Sequence, residues 1–91
     1  MAIGFFFAPA SMTVKQYDDV TARLDAAGLG MPAGRIYHAC FGTENKLQVF
    51  DVWESQAAFD AFGKTLMPLL QQAGVDPGQP QVAPIHNVIV G

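Results

Sequence analysis

The stretch Val49-Phe-Asp-Val-Trp-Glu-Ser-Gln-Ala-Ala-Phe59 passes from strand to helix within a few residues. Leu47 to Trp53 is rich in β-branched and aromatic residues and reads as a strand, and Ser55 then stands where a hydroxyl can accept from a free amide at a helix start. Beyond it Phe59, Phe62, Leu66, Leu69 and Leu70 or Ala73 recur at helical spacing, and Gly74 supplies a stop. Pro68 falls inside that stripe. Proline lacks an amide donor and crowds the turn before it, so the helix is expected to kink there, or to break with Pro68 opening a short final turn.

Working backwards, Arg35 to Phe41 is strand-like and Gly42 to Lys46 is a turn, so the two strands make a hairpin. The loop Gly28-Leu-Gly-Met-Pro-Ala-Gly34 precedes it. Its G-x-G follows a helix and precedes a strand, the reverse of the order a dinucleotide site requires. Thr13 and Gln16 have capping-box spacing, and Val14, Tyr17, Val20, Leu24 and Ala27 recur helically, which predicts a helix over 13–27 ended by Gly28. Residues 2–8 form a first strand in which Ile3, Phe5 and Phe7 face one side and Phe6 the other. After a loop at 76–80, residues 82–90 form the last. The order β-α-β-β-α-β predicts an α+β, ferredoxin-like domain over residues 1–91, with a four-stranded antiparallel sheet and both helices on one face.

Composition argues for a partner. Of the 91 residues, 51% are hydrophobic and only 14% charged, against about 25% charged in an average soluble domain. A chain this short has a thin core. Its strands carry apolar residues on both sides while helices cover one, so the other face is expected to pack on a second copy as a homodimer. A net charge of -3 with five scattered basic residues offers no stripe for phosphates and argues against nucleic acid. The apolar start, Met1 to Ala8, lacks a preceding basic residue and is too short for a signal core or a membrane span. A single cysteine fits a reducing, cytoplasmic setting, and Cys40 reads as a small buried hydrophobe.

The string Val49 to Phe59, with Gly34-Arg-Ile-Tyr-His38 before it and Pro84-Ile-His-Asn-Val88 after it, resembles the antibiotic-biosynthesis-monooxygenase-like branch of the dimeric αβ-barrel superfamily. The resemblance covers essentially the whole chain, and its most specific part is a strand ending in Val-Trp-Glu-Ser before an alanine- and phenylalanine-rich helix. It implies a homodimeric αβ barrel and, for an enzyme, cofactor-free oxidation of a small planar aromatic, quinol or polyketide-like substrate that supplies the electrons for oxygen. The superfamily also holds haem-degrading enzymes that use a first-strand asparagine. Ile3-Gly-Phe-Phe-Phe7 has none.

If the turn pairs Phe41 with Leu47, then His38 lies opposite Phe50, Tyr37 opposite Asp51 and Arg35 opposite Trp53. One face then carries Ile36, His38, Cys40, Phe50 and Val52, and the other Arg35, Tyr37, Asp51 and Trp53. The first is more apolar and is assigned to the helices; a one-residue slip exchanges the two. On this reading His38 is the leading base, a neutral imidazole able to take a proton from a phenol or enol. Tyr17 or His86 donates to the developing oxyanion. Trp53, Phe50, Phe59 and Phe62 wall the ligand, with Tyr37 nearby. Trp53 reads first as a packing anchor and His86 as a structural or interface residue, and a structural role accounts for His38 as well as a catalytic one. Arg35 and Asp51 are candidates for a cross-strand or inter-subunit ion pair. Two isolated histidines and scattered methionines make no metal site, and no cofactor is expected. The competing class is a non-catalytic dimeric module that binds a small ligand or serves as a scaffold, with side chains filling the space between helices and sheet.

Overall fold

A computed structural model describes residues 1–91. Its elements are β1 (Ile3–Phe7), α1 (Val14–Ala26), β2 (Arg35–Thr43), β3 (Lys46–Trp53), α2 (Gln56–Ala73) and β4 (Gln81–Pro84). The four strands form one sheet in the order β2-β3-β1-β4, with every neighbouring pair antiparallel. This is the ferredoxin-like α+β architecture. No helix is long and apolar enough to cross a membrane.

Local chemistry accounts for the helix ends. Thr13 and Gln16 make a reciprocal capping box, with the Gln16 amide donating to Thr13 Oγ1 at 3.1 Å and the Thr13 amide to Gln16 Oε1 at 2.9 Å. Ser55 Oγ accepts from the Ala58 amide at 3.1 Å to start α2. At the other end Gly74 takes φ +79°, and the Val75 amide turns back to the Leu70 carbonyl at 2.9 Å. That reversal brings Val75 onto Leu70, both buried, as such caps commonly do. Pro68 neither breaks nor ends α2, so of the two expected outcomes the break with a new final turn does not occur. The carbonyl of Lys64 loses its amide partner, but Lys64 and Pro68 lie on the exposed side, where water can replace it.

The hairpin differs from the sequence expectation by one residue. Strand pairing continues to Thr43 and Lys46, so the turn is the two residues Glu44 and Asn45 rather than the whole of Gly42 to Lys46. Residues of unlike parity are thereby opposed: Phe41 faces Gln48, His38 faces Asp51, and Tyr37 faces Val52. The reason lies outside the hairpin. Glu44 accepts from the Val14 amide and the Leu47 amide donates to Met12, each at 2.9 Å, so the segment entering α1 grips the turn. A bulge between Arg35 and Tyr37 then absorbs one residue and restores Arg35 opposite Trp53.

Both helices lie on the face carrying His38, Cys40, Val49, Asp51 and Trp53. Phe59 stacks on Phe5 at 4.2 Å between centroids, and Trp53 meets Phe59 and Phe62 at 5.7 and 5.5 Å. Phe5 and Trp53 are wholly removed from water, and truncating such a residue to alanine typically costs about 3–5 kcal/mol. A second cluster of Met12, Val20, Leu24, Leu47, Leu70 and Val75 joins α1 to α2 at the hairpin end. The opposite face bears Phe6, Tyr37, Phe41 and Phe50, with Phe41 and Tyr37 exposed. The last strand ends at Pro84 instead of running to Val90. One further bond, from the Ile85 amide to the Ala2 carbonyl at 2.9 Å, follows its pairing with β1.

Gly34 takes φ +88°, and a Cβ there would lie 2.6 Å from that of Ala58, so only glycine lets the start of β2 approach α2. Gly34→Ala is expected to destabilise the fold by about 1–3 kcal/mol, read as a lowered midpoint in urea with an unchanged slope.

Candidate active site

Between the helices and the sheet lies a cavity of about 650 Å³. Phe7, Val49, Phe59, Phe62 and Leu66 are among its apolar walls, and Tyr17, Arg35, His38 and Asp51 supply its polar groups. Its volume falls in the range of small-molecule sites. The space is therefore open rather than filled.

A chain of hydrogen bonds runs along its sheet wall. His38 Nδ1 lies 2.5 Å from Asp51 Oδ1, and His38 Nε2 lies 2.6 Å from the Tyr17 hydroxyl. An ionised carboxylate can only accept, so Nδ1 carries the proton and donates to Asp51; the neutral ring then accepts from Tyr17 at Nε2. The second carboxylate oxygen of Asp51 accepts from Trp53 Nε1 at 3.4 Å. Asp51 is 7% exposed, and these bonds hold both of its oxygens. The order Tyr17, His38, Asp51, Trp53 thus runs from the cavity into the aromatic core.

Each member is placed by its element. Tyr17 projects from the first turn of α1, where the Thr13 cap sets the start of the helix. His38 and Asp51 are direct cross-strand partners, so their side chains share a face and lie close together. Burial pushes the Tyr17 hydroxyl above its ordinary value of 10.0; Cys40 adds to that push, the Arg35 charge opposes it, and Asp51 and Asp18 add again. Burial likewise raises the Cys40 thiol, with Asp18 adding.

Several residues proposed from sequence lie elsewhere. Phe50 and Tyr37 pair with each other on the open face of the sheet: the one-residue change in pairing turns Phe50 away from the helices, while Tyr37 stays on the face opposite His38. His86 is exposed beyond the end of β4 and lines no part of the cavity. Trp53 stands behind Asp51 rather than on the cavity wall. Phe59 and Phe62 do line it. Arg35 and Asp51 form no ion pair: Arg35 Nη2 donates to the Gly30 carbonyl at 3.0 Å, while Asp51 is taken by His38. The sequence reading missed the role of Asp51 as the partner of His38. Its signal was the parity of the hairpin pairing.

SnoaB, a cofactor-independent oxygenase from Streptomyces nogalater, superposes with a TM-score of 0.69 over 97% of this chain and 96% of its own, at 15% identity. The fold is one these oxygenases use. A Chloroflexus aurantiacus J-10-fl protein assigned as an antibiotic biosynthesis monooxygenase superposes at 0.66 over the whole of both chains, with 10% identity. A conserved Methanosarcina mazei Go1 protein does so at 0.60, with 15% identity, over 91% of this chain and 89% of its own. The sequence matches no protein-family model and no curated protein.

Two outcomes test the site. Long-range ¹H–¹⁵N NMR spectra should show neutral His38 protonated at Nδ1, and Asp51→Leu should abolish that tautomer preference. The folded protein holds the Tyr17 proton more tightly than the unfolded chain does. Its contribution to stability is therefore complete below pH 10 and lost as the pH rises through the elevated folded-state value. Tyr17→Phe should flatten that part of the thermal midpoint's fall in alkali.

Proposed function

We propose that this protein is a cofactor-independent monooxygenase acting on a small planar phenol, quinol or polyketide-like molecule. The observation that carries the reading is the Tyr17–His38–Asp51 chain on the wall of an open, mostly apolar cavity. The likeness to SnoaB in fold supports it.

In this reading His38 Nε2 is the base. Removing a proton from the bound aromatic leaves an enolate or phenolate, and the Tyr17 hydroxyl hydrogen turns from Nε2 to the new oxyanion as Nε2 takes that proton. Asp51 keeps the imidazole oriented and stabilises its charge. The electron-rich carbanion reduces dioxygen; for a methylene between aromatic rings, one oxygen atom becomes the ring carbonyl and the other leaves as water with the two methylene hydrogens. The substrate supplies all four electrons. Phe7, Val49, Phe59 and Phe62 provide a dry wall that favours charge transfer to a bound planar ring.

Oxygen uptake with 1,8-dihydroxyanthrone, corrected for uncatalysed oxidation, tests this. His38→Ala is expected to lower turnover by about 10²–10⁴-fold, and Asp51→Asn to lower it in the same direction. Unchanged oxygen uptake by His38→Ala would remove the base; if that variant still bound the compound, the cavity would belong to a non-catalytic binding module.

We further infer that the protein is a homodimer that buries the open face of the sheet. Phe6, Tyr37, Phe41 and Phe50 form an apolar patch there, with Phe41 46% and Tyr37 40% exposed. Few residues of the single chain are fully buried, and a second copy laid on this face would cover the patch twice. Sedimentation should show a dimer for the unaltered chain and a monomer for Phe41→Glu.

A further inference from the structure

Arg35 reaches the cavity only because of the bulge at Ile36. On an unbroken strand, residues 35 and 38 would project from opposite faces. The extra residue between the Arg35–Trp53 and Tyr37–Val52 pairs brings Arg35 to the same wall as His38 and leaves Ile36 pointing outward, 52% exposed. Bulges of this kind re-aim a side chain at the expense of ladder bonds. Here the re-aimed group is a guanidinium, placed beside a cavity that is otherwise mostly apolar.

That guanidinium has donors to spare. Its one protein hydrogen bond is to the Gly30 carbonyl, and neither ion pair of the chain involves it. Among the carboxylates on the cavity lining, Asp51 is committed to His38, while Asp25 and Asp60 are exposed at its margin, as is Lys64. Arg35 is thus the half-buried cation of the site. It lies near enough to Tyr17 to oppose the effect of burial on that hydroxyl.

We propose that Arg35 is an anion-binding residue, and that the cavity takes an aromatic molecule carrying a carboxylate at one end and an ionisable hydroxyl at the other. A planar fork of N–H donors suits a carboxylate bidentately. Across the bulge Arg35 and His38 face Trp53 and Asp51, two residues apart on β3 and so about 7 Å along the strand, and with the length of their side chains the two groups hold opposite ends of a fused-ring compound. The ligand class deepens the oxygenase reading and rests on it for the role of His38, but the anion subsite does not.

Binding of 6-hydroxy-2-naphthoate and of its methyl ester, followed by ligand fluorescence, separates the two. The ester keeps the rings and hydroxyl and loses the charge. The unaltered protein is expected to bind the acid about tenfold or more tightly than the ester. Arg35→Met should abolish that preference by weakening the acid far more than the ester, and Arg35→Lys should keep part of it. His38→Ala should retain the preference even if oxygen uptake is lost, so failure of the base and failure of the subsite are read separately. Should Arg35→Met fail to fold, the salt dependence of the unaltered protein decides: the preference for the acid should fall between 0.05 and 0.5 M NaCl. Equal affinity for acid and ester, binding of neither, a preference that persists in folded Arg35→Met, or one indifferent to salt would overturn the proposal.

Discussion

Hydrogen bonds between Thr43 and Lys46 close the β2–β3 hairpin over two residues, and nearly everything in the site follows from that closure. An alternating strand offers two sets of side chains, and a shift of one residue in pairing exchanges the partners of every one of them. Closed where it is, the hairpin sets a carboxylate directly across from an imidazole. It also sends Phe50 to the far side, beside Tyr37, which leaves room beneath the helices. The entry to α1 enforces this choice through its bonds to Glu44 and Leu47, so the helix that carries Tyr17 also holds in register the strands that carry its partners.

The bulge at the other end of β2 completes the arrangement. It returns the pairing to Arg35 opposite Trp53 and turns a cation toward the same cavity. The polar wall is therefore bounded at one end by a tight turn and at the other by an irregularity. Behind it Phe5, Phe59, Phe62 and Trp53 pack as one aromatic layer, with Phe59 edge-on to the indole and stacked on Phe5. The buried carboxylate of Asp51 is tolerable in this setting because both its oxygens accept hydrogen bonds.

Element order was legible in the sequence because its signals are local. Capping by Thr13 and Ser55, the stop at Gly74 and the apolar stripes each act within a turn or two. The continuity of α2 through Pro68 was not legible, because it depends on whether the orphaned carbonyl faces water. Tyr17 and His38 were named as candidates from their residue types and apolar surroundings, but the partnership with Asp51 required the hairpin parity. A bond between the turn and a segment thirty residues earlier sets that parity. No pattern within the hairpin itself reveals it.

Trp53 is the only tryptophan of the chain. Its indole N–H shares a carboxylate with His38 while its ring is wedged among Phe5's layer and α2. Any change in the charge of that carboxylate's other partner alters the field across the indole. The protein thus carries an intrinsic optical probe at the dry end of the hydrogen-bond chain, whose emission reports the state of the imidazole without a label and without a substrate that absorbs light.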